Sequence, residues 1–148
     1  MKKQLNKGLS ALTKILHDLW IITNDGIVLF SRVYNPKVET QLFGALLSAI
    51  NSFAEEVSEG GLTNFELSNK QFILLKQNNL LFIATSPKKT NKNIVISELE
   101  KISERFFTKY PQMKKKDQWD DDINLFSDFD EVIEDALEDP VKKFWKGL

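Results

Sequence analysis

The chain has 148 residues, 42% of them hydrophobic and 28% charged, with a formal net charge of -1, a composition typical of one globular domain. It contains no cysteine and a single histidine, His17, which excludes disulfide frameworks, cysteine-ligated zinc and histidine-rich metal sites. No apolar run approaches the roughly 18 residues of a membrane span and no signal-peptide core is found, so we expect a cytoplasmic protein. The missing cysteine and the single histidine argue against an enzyme.

Charge is distributed unevenly along the chain. Residues 1–116 carry 17 basic and 10 acidic side chains, residues 117–139 carry 11 acidic and no basic ones, and residues 140–148 add three lysines. No basic stripe is interleaved with aromatic residues, so we expect no nucleic-acid partner. The acidic segment repels itself, and we predict that three aromatic residues anchor it, namely Trp119, Phe126 and Phe129.

The first predicted element is an amphipathic helix over residues 1–16. Leucines recur there at helical spacing, with lysines between them, although Gly8 weakens the pattern. The apolar positions are Leu5, Leu9, Leu12 and Leu16. The stripe is narrow and carries no aromatic residue, which favours packing on the domain over lying on a membrane surface.

Two strands are predicted next, at Asp18–Thr23 and Ile27–Val33. Asp25-Gly26 between such runs is a strong hairpin signal, because glycine adopts a positive φ without strain. The pattern therefore predicts an antiparallel pair at the start of the domain.

A long helix is predicted over Val38–Ser58, ended by Gly60-Gly61. We predict that its core-facing stripe consists of Leu42, Ala45, Leu46, Ala49, Phe53 and Val57, broadened by Phe43, Leu47, Ile50 and Ala54. The opposite face carries small or polar residues, including Gly44, Ser48 and Ser52. Small residues let another backbone approach closely, so we predict that this face takes part in self-association.

Three more strands are predicted at Thr63–Leu67, Gln71–Lys76 and Leu80–Thr85, joined by turns short enough to require an antiparallel meander. Two helices are predicted after them, over residues 93–110 and residues 128–138. Pro111 ends the first of these helices, and Ser127 is expected to cap the second.

The apolar content of the strands predicts their order in the sheet. Leu19–Ile22 and Leu80–Ala84 are almost continuously apolar, as expected of central strands covered on both faces. Thr63–Leu67 alternates between apolar and polar residues, which suits an edge strand. We therefore predict an α+β fold with a five-stranded, mainly antiparallel sheet in the order 2-1-5-4-3.

The element order β-β-α-β-β-β-α-α resembles that of the longin fold. The likeness rests on LWIITNDGIVLFSR at the start, LFGALLSAINSFAEEV in the long helix, FELSNKQFILLKQNNLLFIAT in the meander, and a late helix after Trp119-Asp120. Together these segments resemble stand-alone longin-like domains of archaeal proteins. The leading helix departs from this pattern and favours the related roadblock/LC7 order, which stays open as the alternative.

The longin resemblance implies a platform for protein contacts, often with small GTPases or with membrane-trafficking machinery. It brings no catalytic motif, so the expected function is a regulator or adaptor of a small GTPase. The roadblock alternative implies a homodimeric scaffold subunit. Expected partners are thus a small GTPase, another longin or roadblock-type protein, or a second copy of the chain, with peripheral membrane contact left open.

No catalytic, cofactor or metal site is predicted. Asp120, Asp122 and Asn124 follow the ligand spacing of a calcium-binding EF-hand loop, but Leu125 stands where that loop needs glycine. We interpret the segment as a solvated acidic connector.

The interaction residues that we predict lie at three places in the chain. They are Gly44, Ser48 and Ser52 on the long helix, Phe65 and Leu67 on the edge strand, and Phe144 and Trp145 near the last residue. We predict three parts of the chain: the amphipathic helix over residues 1–16, a longin-like domain over residues 17–138, and an amphipathic segment over residues 139–148.

Overall fold

The fold is built on one five-stranded antiparallel sheet in the order β2-β1-β5-β4-β3, as the apolar content of the strands predicts. The computed structural model describes residues 15–115 and 122–137. Its strands are β1 (Asp18–Thr23), β2 (Val28–Arg32), β3 (Asn64–Glu66), β4 (Lys70–Gln77) and β5 (Leu80–Pro87). The predicted α+β class and strand order are confirmed.

The central strands β1 and β5 are buried on both faces of the sheet. Leu19 and Phe82 point into one apolar core, whereas Ile22 and Ile83 point into the other, because successive side chains of a strand alternate between faces. The two cores on opposite faces explain why the sequences of both strands are almost continuously apolar.

Helices cover both faces of the sheet. Helix α1 (Thr40–Val57) lies on one face, and α2 (Lys92–Lys109) lies on the other together with a single helical turn, α3 (Phe129–Val132). Short 3-10 turns at Pro111–Lys114 and Ile123–Phe126 precede α3.

An aromatic cluster builds the core on the α2 side. The Phe106 ring lies 5.1–5.7 Å, centroid to centroid, from five other rings. They are Phe82, Phe107, Tyr110, Phe126 and Phe129. Burial, with the Asp128 charge as a smaller cause, raises the pKa of the Tyr110 hydroxyl, so this side chain stays neutral at physiological pH.

The third predicted helix is much shorter than expected. In place of a helix over residues 128–138, the chain forms a 3-10 turn and the single turn α3, and the Ser127 hydroxyl donates to the Asn124 carbonyl oxygen instead of capping. Phe126 and Phe129 are fully buried on Phe106. The two rings are three residues apart, a spacing that tight 3-10 turns place on one side of the backbone, so both rings reach Phe106 without a longer helix.

The acidic segment is held by these two anchors and by two arginines. Arg105 contacts the Asp135 carboxylate at 2.8 Å and also donates to the Val132 carbonyl oxygen, while Arg32 lies 3.5 Å from the Asp130 carboxylate. The expectation that Phe126 and Phe129 anchor the segment is met, and the third expected anchor, Trp119, lies outside the described residues.

The two ends of the described chain meet. Leu16 and Leu137 form an isolated parallel bridge, and both side chains are buried in the α2-side core. Leu16 is therefore a core residue of the domain. The remainder of the predicted N-terminal helix and the C-terminal segment from residue 138 onward lie outside the described residues.

Helix α1 presents to the sheet the face that the sequence pattern assigned to solvent. Gly44, Leu47 and Asn51 are buried against the sheet side, whereas the stripe predicted to be core is exposed, with Phe53 at 71% and Leu46 at 54%. The predicted core stripe is thus wrong, whereas two of the residues predicted to broaden it are in the core, Leu47 fully and Phe43 in part. The apolar side chains of this stripe face away from the domain to which they belong.

Three close contacts set this orientation of α1. Gly44 packs directly on Gly26 in the hairpin turn, and the Ser48 hydroxyl donates to the Asn24 carbonyl oxygen at 2.5 Å. The Asn51 side-chain oxygen accepts from the Leu62 amide at 3.1 Å. Small and polar residues are needed on this side because the helix backbone approaches the turn too closely for larger ones.

Gly44→Ala should destabilise the domain, although alanine is the better helix former. An added Cβ would lie 2.4 Å from the Gly26 carbonyl oxygen and 2.7 Å from a Val28 methyl group, so the helix must shift. We expect a loss of about 1–3 kcal/mol in the free energy of unfolding, measured with urea. Ser52→Ala, on the exposed side of the same helix, is the control and should cost nothing; equal stability of both variants would contradict this packing.

Candidate protein-interaction surface

The most distinctive surface of the domain is the solvent-facing side of α1. We define the α1 apolar face as Leu42, Ala45, Leu46, Ala49, Ile50, Phe53 and Val57, all of which are exposed. No charged residue lies between Leu42 and Phe53 on this helix, whose three glutamates are Glu39, Glu55 and Glu56 at or beyond its two ends. The face is therefore continuous, and it is uncharged from Leu42 to Phe53, with Glu56 on the same side of the helix in its last turn.

Such a face is unfavourable in water. Single exposed apolar residues are common on proteins, but a contiguous helical stripe of them marks a binding surface. Ala45 and Ala49 form one margin of the face, beside the larger side chains of Leu46 and Phe53, and small residues at this margin allow a second helix to pack closely. The chemistry of the face is that of helix packing, with no group that could carry out a reaction.

The predicted helix residues divide between the two sides of α1. Gly44 is buried against Gly26, so its interpretation as a contact residue for a partner has to be corrected. Ser48 is half-buried and its hydroxyl bonds within the chain, so Ser48→Arg would break an internal contact. Ser52 is exposed at the margin of the α1 apolar face and stays a prediction.

The predicted edge-strand residues lie at β3, which is an outer strand of the sheet. The Phe65 ring is half-buried and stacks on Phe72 at 4.4 Å, so its packing is largely internal. Leu67 is 51% exposed just beyond the strand. Both remain predicted contact residues, and Phe144 and Trp145 lie outside the described residues.

The other outer strand, β2, is blocked at one point by a side chain. The Gln41 amide accepts from the Val28 backbone N–H at 2.9 Å and donates to the Val28 carbonyl oxygen at 3.2 Å. It thereby occupies the backbone groups that a further strand would use. This asymmetry favours β3 as the sheet edge open to a partner strand.

Sequence reasoning missed the exposed residues Leu46, Ile50 and Phe53 as contact residues because it assigned them to the core. A signal was available: apolar residues occupy more than half of the circumference of α1, since Phe43 and Leu47 lie roughly 60–120° around the helix from Leu46 and Phe53. One domain can cover only one side of a helix on its surface. Two apolar sides therefore indicate a second covering surface.

Residues 15–115 and 122–137 form neither a membrane span nor a metal site. No helix in these ranges has the length and apolarity needed to cross a bilayer. These ranges also contain no cluster of acidic or histidine side chains with the geometry of a metal site.

A known family matches most of the described domain. Residues 17–109, from the start of β1 to the end of α2, match the family model described as the first longin domain of FUZ, MON1 and HPS1. The chain belongs to this longin-domain family. The match ends before the acidic segment, so the predicted longin-domain boundary at residue 138 stays a prediction.

The MglB structure shares the fold of this longin domain at low sequence identity, and a second solved structure is similar to it. MglB of Myxococcus xanthus superposes with a TM-score of 0.54 at 14% identity, covering 69% of this chain and 82% of its own. A Roadblock/LC7 domain from Streptomyces avermitilis gives a TM-score of 0.49 at 12% identity, covering 65% and 85%. At these identities the likeness concerns the fold alone, and no curated protein matches the sequence.

Proposed function

We propose that this longin domain is a non-catalytic interaction module that pairs through the α1 apolar face with a second copy of itself and, as a pair, regulates a small GTPase. The single observation that carries the proposal is the uncharged, exposed face of α1, including Leu46, Ile50 and Phe53. The role toward a GTPase is supported by the longin family membership, since this resemblance implies contacts of that kind.

Two-fold pairing suits this surface. In a symmetric dimer each copy contributes the same surface patch to the interface, so the patch must be complementary to itself. An apolar helix face that carries no charge from Leu42 to Phe53 meets this requirement, because two such stretches pack against each other without leaving a charge buried. We include the β3 edge in the same proposed contact, because β3 is an outer strand of the sheet.

A homodimeric scaffold without a GTPase is the second candidate. It shares the pairing through the α1 apolar face and differs only in what the dimer binds. Both candidates therefore predict a dimer, and only the regulator predicts binding that depends on the nucleotide state of a GTPase. We also propose that this regulation serves a system like membrane trafficking, which the longin resemblance supports.

The test uses the full chain and small GTPases from the same source, each loaded with GDP or with a non-hydrolysable GTP analogue. We expect binding to one nucleotide state in preference to the other, measured by fluorescence anisotropy of the labelled nucleotide. A dimer that binds neither state of any of these GTPases would favour the scaffold candidate. A chain that stays monomeric at all concentrations would overturn the pairing on which both candidates depend.

A further inference from the structure

A cluster of lysines, separate from the α1 apolar face, lies at the end of the sheet where β4 begins and β5 ends. Lys70 pairs with Pro87 across these two strands, and Lys88-Lys89 follows Pro87 directly. Lys92 begins α2 at the same end, and Lys37 lines one surface groove together with Lys70. We call this surface the lysine end and define it by Lys37, Lys70, Lys88, Lys89 and Lys92.

The turn that carries Lys88 and Lys89 is tied to the neighbouring strand. The Gln71 side chain is fully buried, and its amide nitrogen donates to the Pro87 and Thr90 carbonyl oxygens at 3.3 and 2.7 Å. The Thr90 backbone amide donates to the Pro87 carbonyl oxygen at 3.0 Å. Both lysines are exposed in this turn, so the fold presents them to solvent at a defined place.

Exposed apolar side chains lie among these lysines. Val38, which follows Lys37, is 52% exposed, and Ile94 is 48% exposed in the first turn of α2. Tyr34 is 56% exposed, and its backbone amide donates to the Asp18 carboxylate at the start of β1, which lies at the same end of the sheet. The lysine end therefore presents apolar side chains and positive charge on one surface.

Few negative charges offset the lysines. The segments that form this end contain five lysines, two glutamates and no arginine, over residues 34–40, 66–71 and 87–94. The Glu39 carboxylate caps α1, Glu66 is exposed, and the nearby Asp18 is buried and accepts from the Thr85 hydroxyl. None of the five lysines forms an ion pair within residues 15–115 and 122–137. These segments are thus positive, although the whole chain has a formal net charge of -1.

This chemistry suits an anionic lipid surface better than a protein or a nucleic acid. Lipid headgroups attract lysines as point charges, and apolar side chains enter the boundary between headgroups and acyl chains. Acidic protein surfaces are recognised mainly through the planar group of arginine, which these segments lack. Single-stranded nucleic acids need successive aromatic rings for stacking, whereas only Tyr34 of the three exposed apolar residues is aromatic.

We infer that the lysine end docks this domain on an anionic membrane surface. Its lysines contact the lipid headgroups, while Tyr34, Val38 and Ile94 enter the boundary below them. The docking requires neither the pairing of two copies nor a GTPase, so it goes beyond the proposed function.

The test is cosedimentation of the full chain with vesicles of phosphatidylcholine, alone or mixed with phosphatidylserine. We expect binding to the mixed vesicles only, and weaker binding at high salt, because the Debye length is already about 8 Å at physiological ionic strength. The chain carrying Ile50→Asp should keep this preference, so failure of the dimer proposal does not affect the result. Equal binding to both kinds of vesicle, or binding to neither, would overturn the inference.

Matched lysine pairs locate the surface that binds. Lys88→Gln with Lys89→Gln should weaken binding about twentyfold or more, because each lysine near an anionic leaflet strengthens binding roughly fivefold. Lys114→Gln with Lys115→Gln removes the same charge from two exposed lysines beyond the other end of α2, about 27 Å away, and should change binding less than about threefold. An equal loss in both double variants would indicate a general effect of net charge and contradict docking through the lysine end.

A second matched pair tests the apolar side chains. Val38→Ser with Ile94→Ser should weaken binding to the mixed vesicles about tenfold or more. Ile123→Ser with Leu125→Ser, at residues that are 40% and 41% exposed in the 3-10 turn beside Tyr110, should leave it unchanged. Unchanged binding by Val38→Ser with Ile94→Ser would overturn the inferred docking. Binding to single-stranded DNA through the lysine end, without binding to vesicles, would do the same.

Discussion

Ile50→Asp should abolish self-association of this longin domain while leaving its fold intact. Ile50 is 40% exposed in the middle of the α1 apolar face, so an aspartate there is solvated in the monomer. In a dimer that buries this face, the carboxylate would lose its water without gaining a counter-charge, because the face is uncharged. Removing water from an unpaired charge costs several kcal/mol, so we expect association to weaken roughly a hundredfold or more.

The matched control is Ile94→Asp, which makes the same change at an exposed isoleucine of α2. Ile94 is 48% exposed and lies in the first helical turn, where a negative charge is tolerated or favourable. Light scattering over a concentration series should show a dimer for the unchanged chain and for Ile94→Asp, and a monomer for Ile50→Asp. Dimers of unchanged strength in Ile50→Asp would show that α1 is not the contact surface.

Phe106→Ala should destabilise the domain by about 3–5 kcal/mol, through loss of apolar burial and the cavity left behind. The Phe106 ring is fully buried and contacts five other aromatic rings, which cannot all collapse into the vacated space. The same substitution at Phe53, which is 71% exposed, should change the stability of the monomer by no more than about 0.5 kcal/mol.

Both substitutions should be measured in the Ile50→Asp background, because dimerisation adds to the apparent stability of any variant that still pairs. Urea unfolding of the two monomers then compares a core phenylalanine with a surface phenylalanine directly. A loss of several kcal/mol for Phe53→Ala would place that ring in the core and contradict the orientation of α1. A negligible loss for Phe106→Ala would contradict the aromatic cluster.

The sequence alone determined the strand order of this domain. Leu19–Ile22 and Leu80–Ala84 are apolar at every position, and a strand needs such a pattern only when both faces of the sheet are covered. Asp25-Gly26 similarly determined the hairpin, since Gly26 adopts a φ of +91°. The hairpin depends on residues that are close together in the chain, and the strand order depends on which residues are buried. Both are visible in the pattern of apolar and turn-forming residues.

Part of the candidate surface could also be predicted. The sequence pointed to the long helix and to the β3 edge as contact elements, but it selected Gly44 and Ser48, which lie on the inner side of α1. The remaining predicted residue on this helix, Ser52, borders the face that is exposed.

Only the tertiary structure decided which side of α1 faces the sheet and what shape the acidic segment takes. Apolar periodicity shows which residues avoid water, but it does not show whether their own domain or a partner covers them, and α1 is apolar on two sides. Gly44 on Gly26 and Asn51 on the Leu62 amide resolve that ambiguity, because only a small residue and a hydrogen-bonding residue fit so close to the backbone. Likewise, Phe126 and Phe129 both pack on Phe106, and this contact with a residue distant in sequence fixes the position of the segment, which forms tight turns in place of the expected helix.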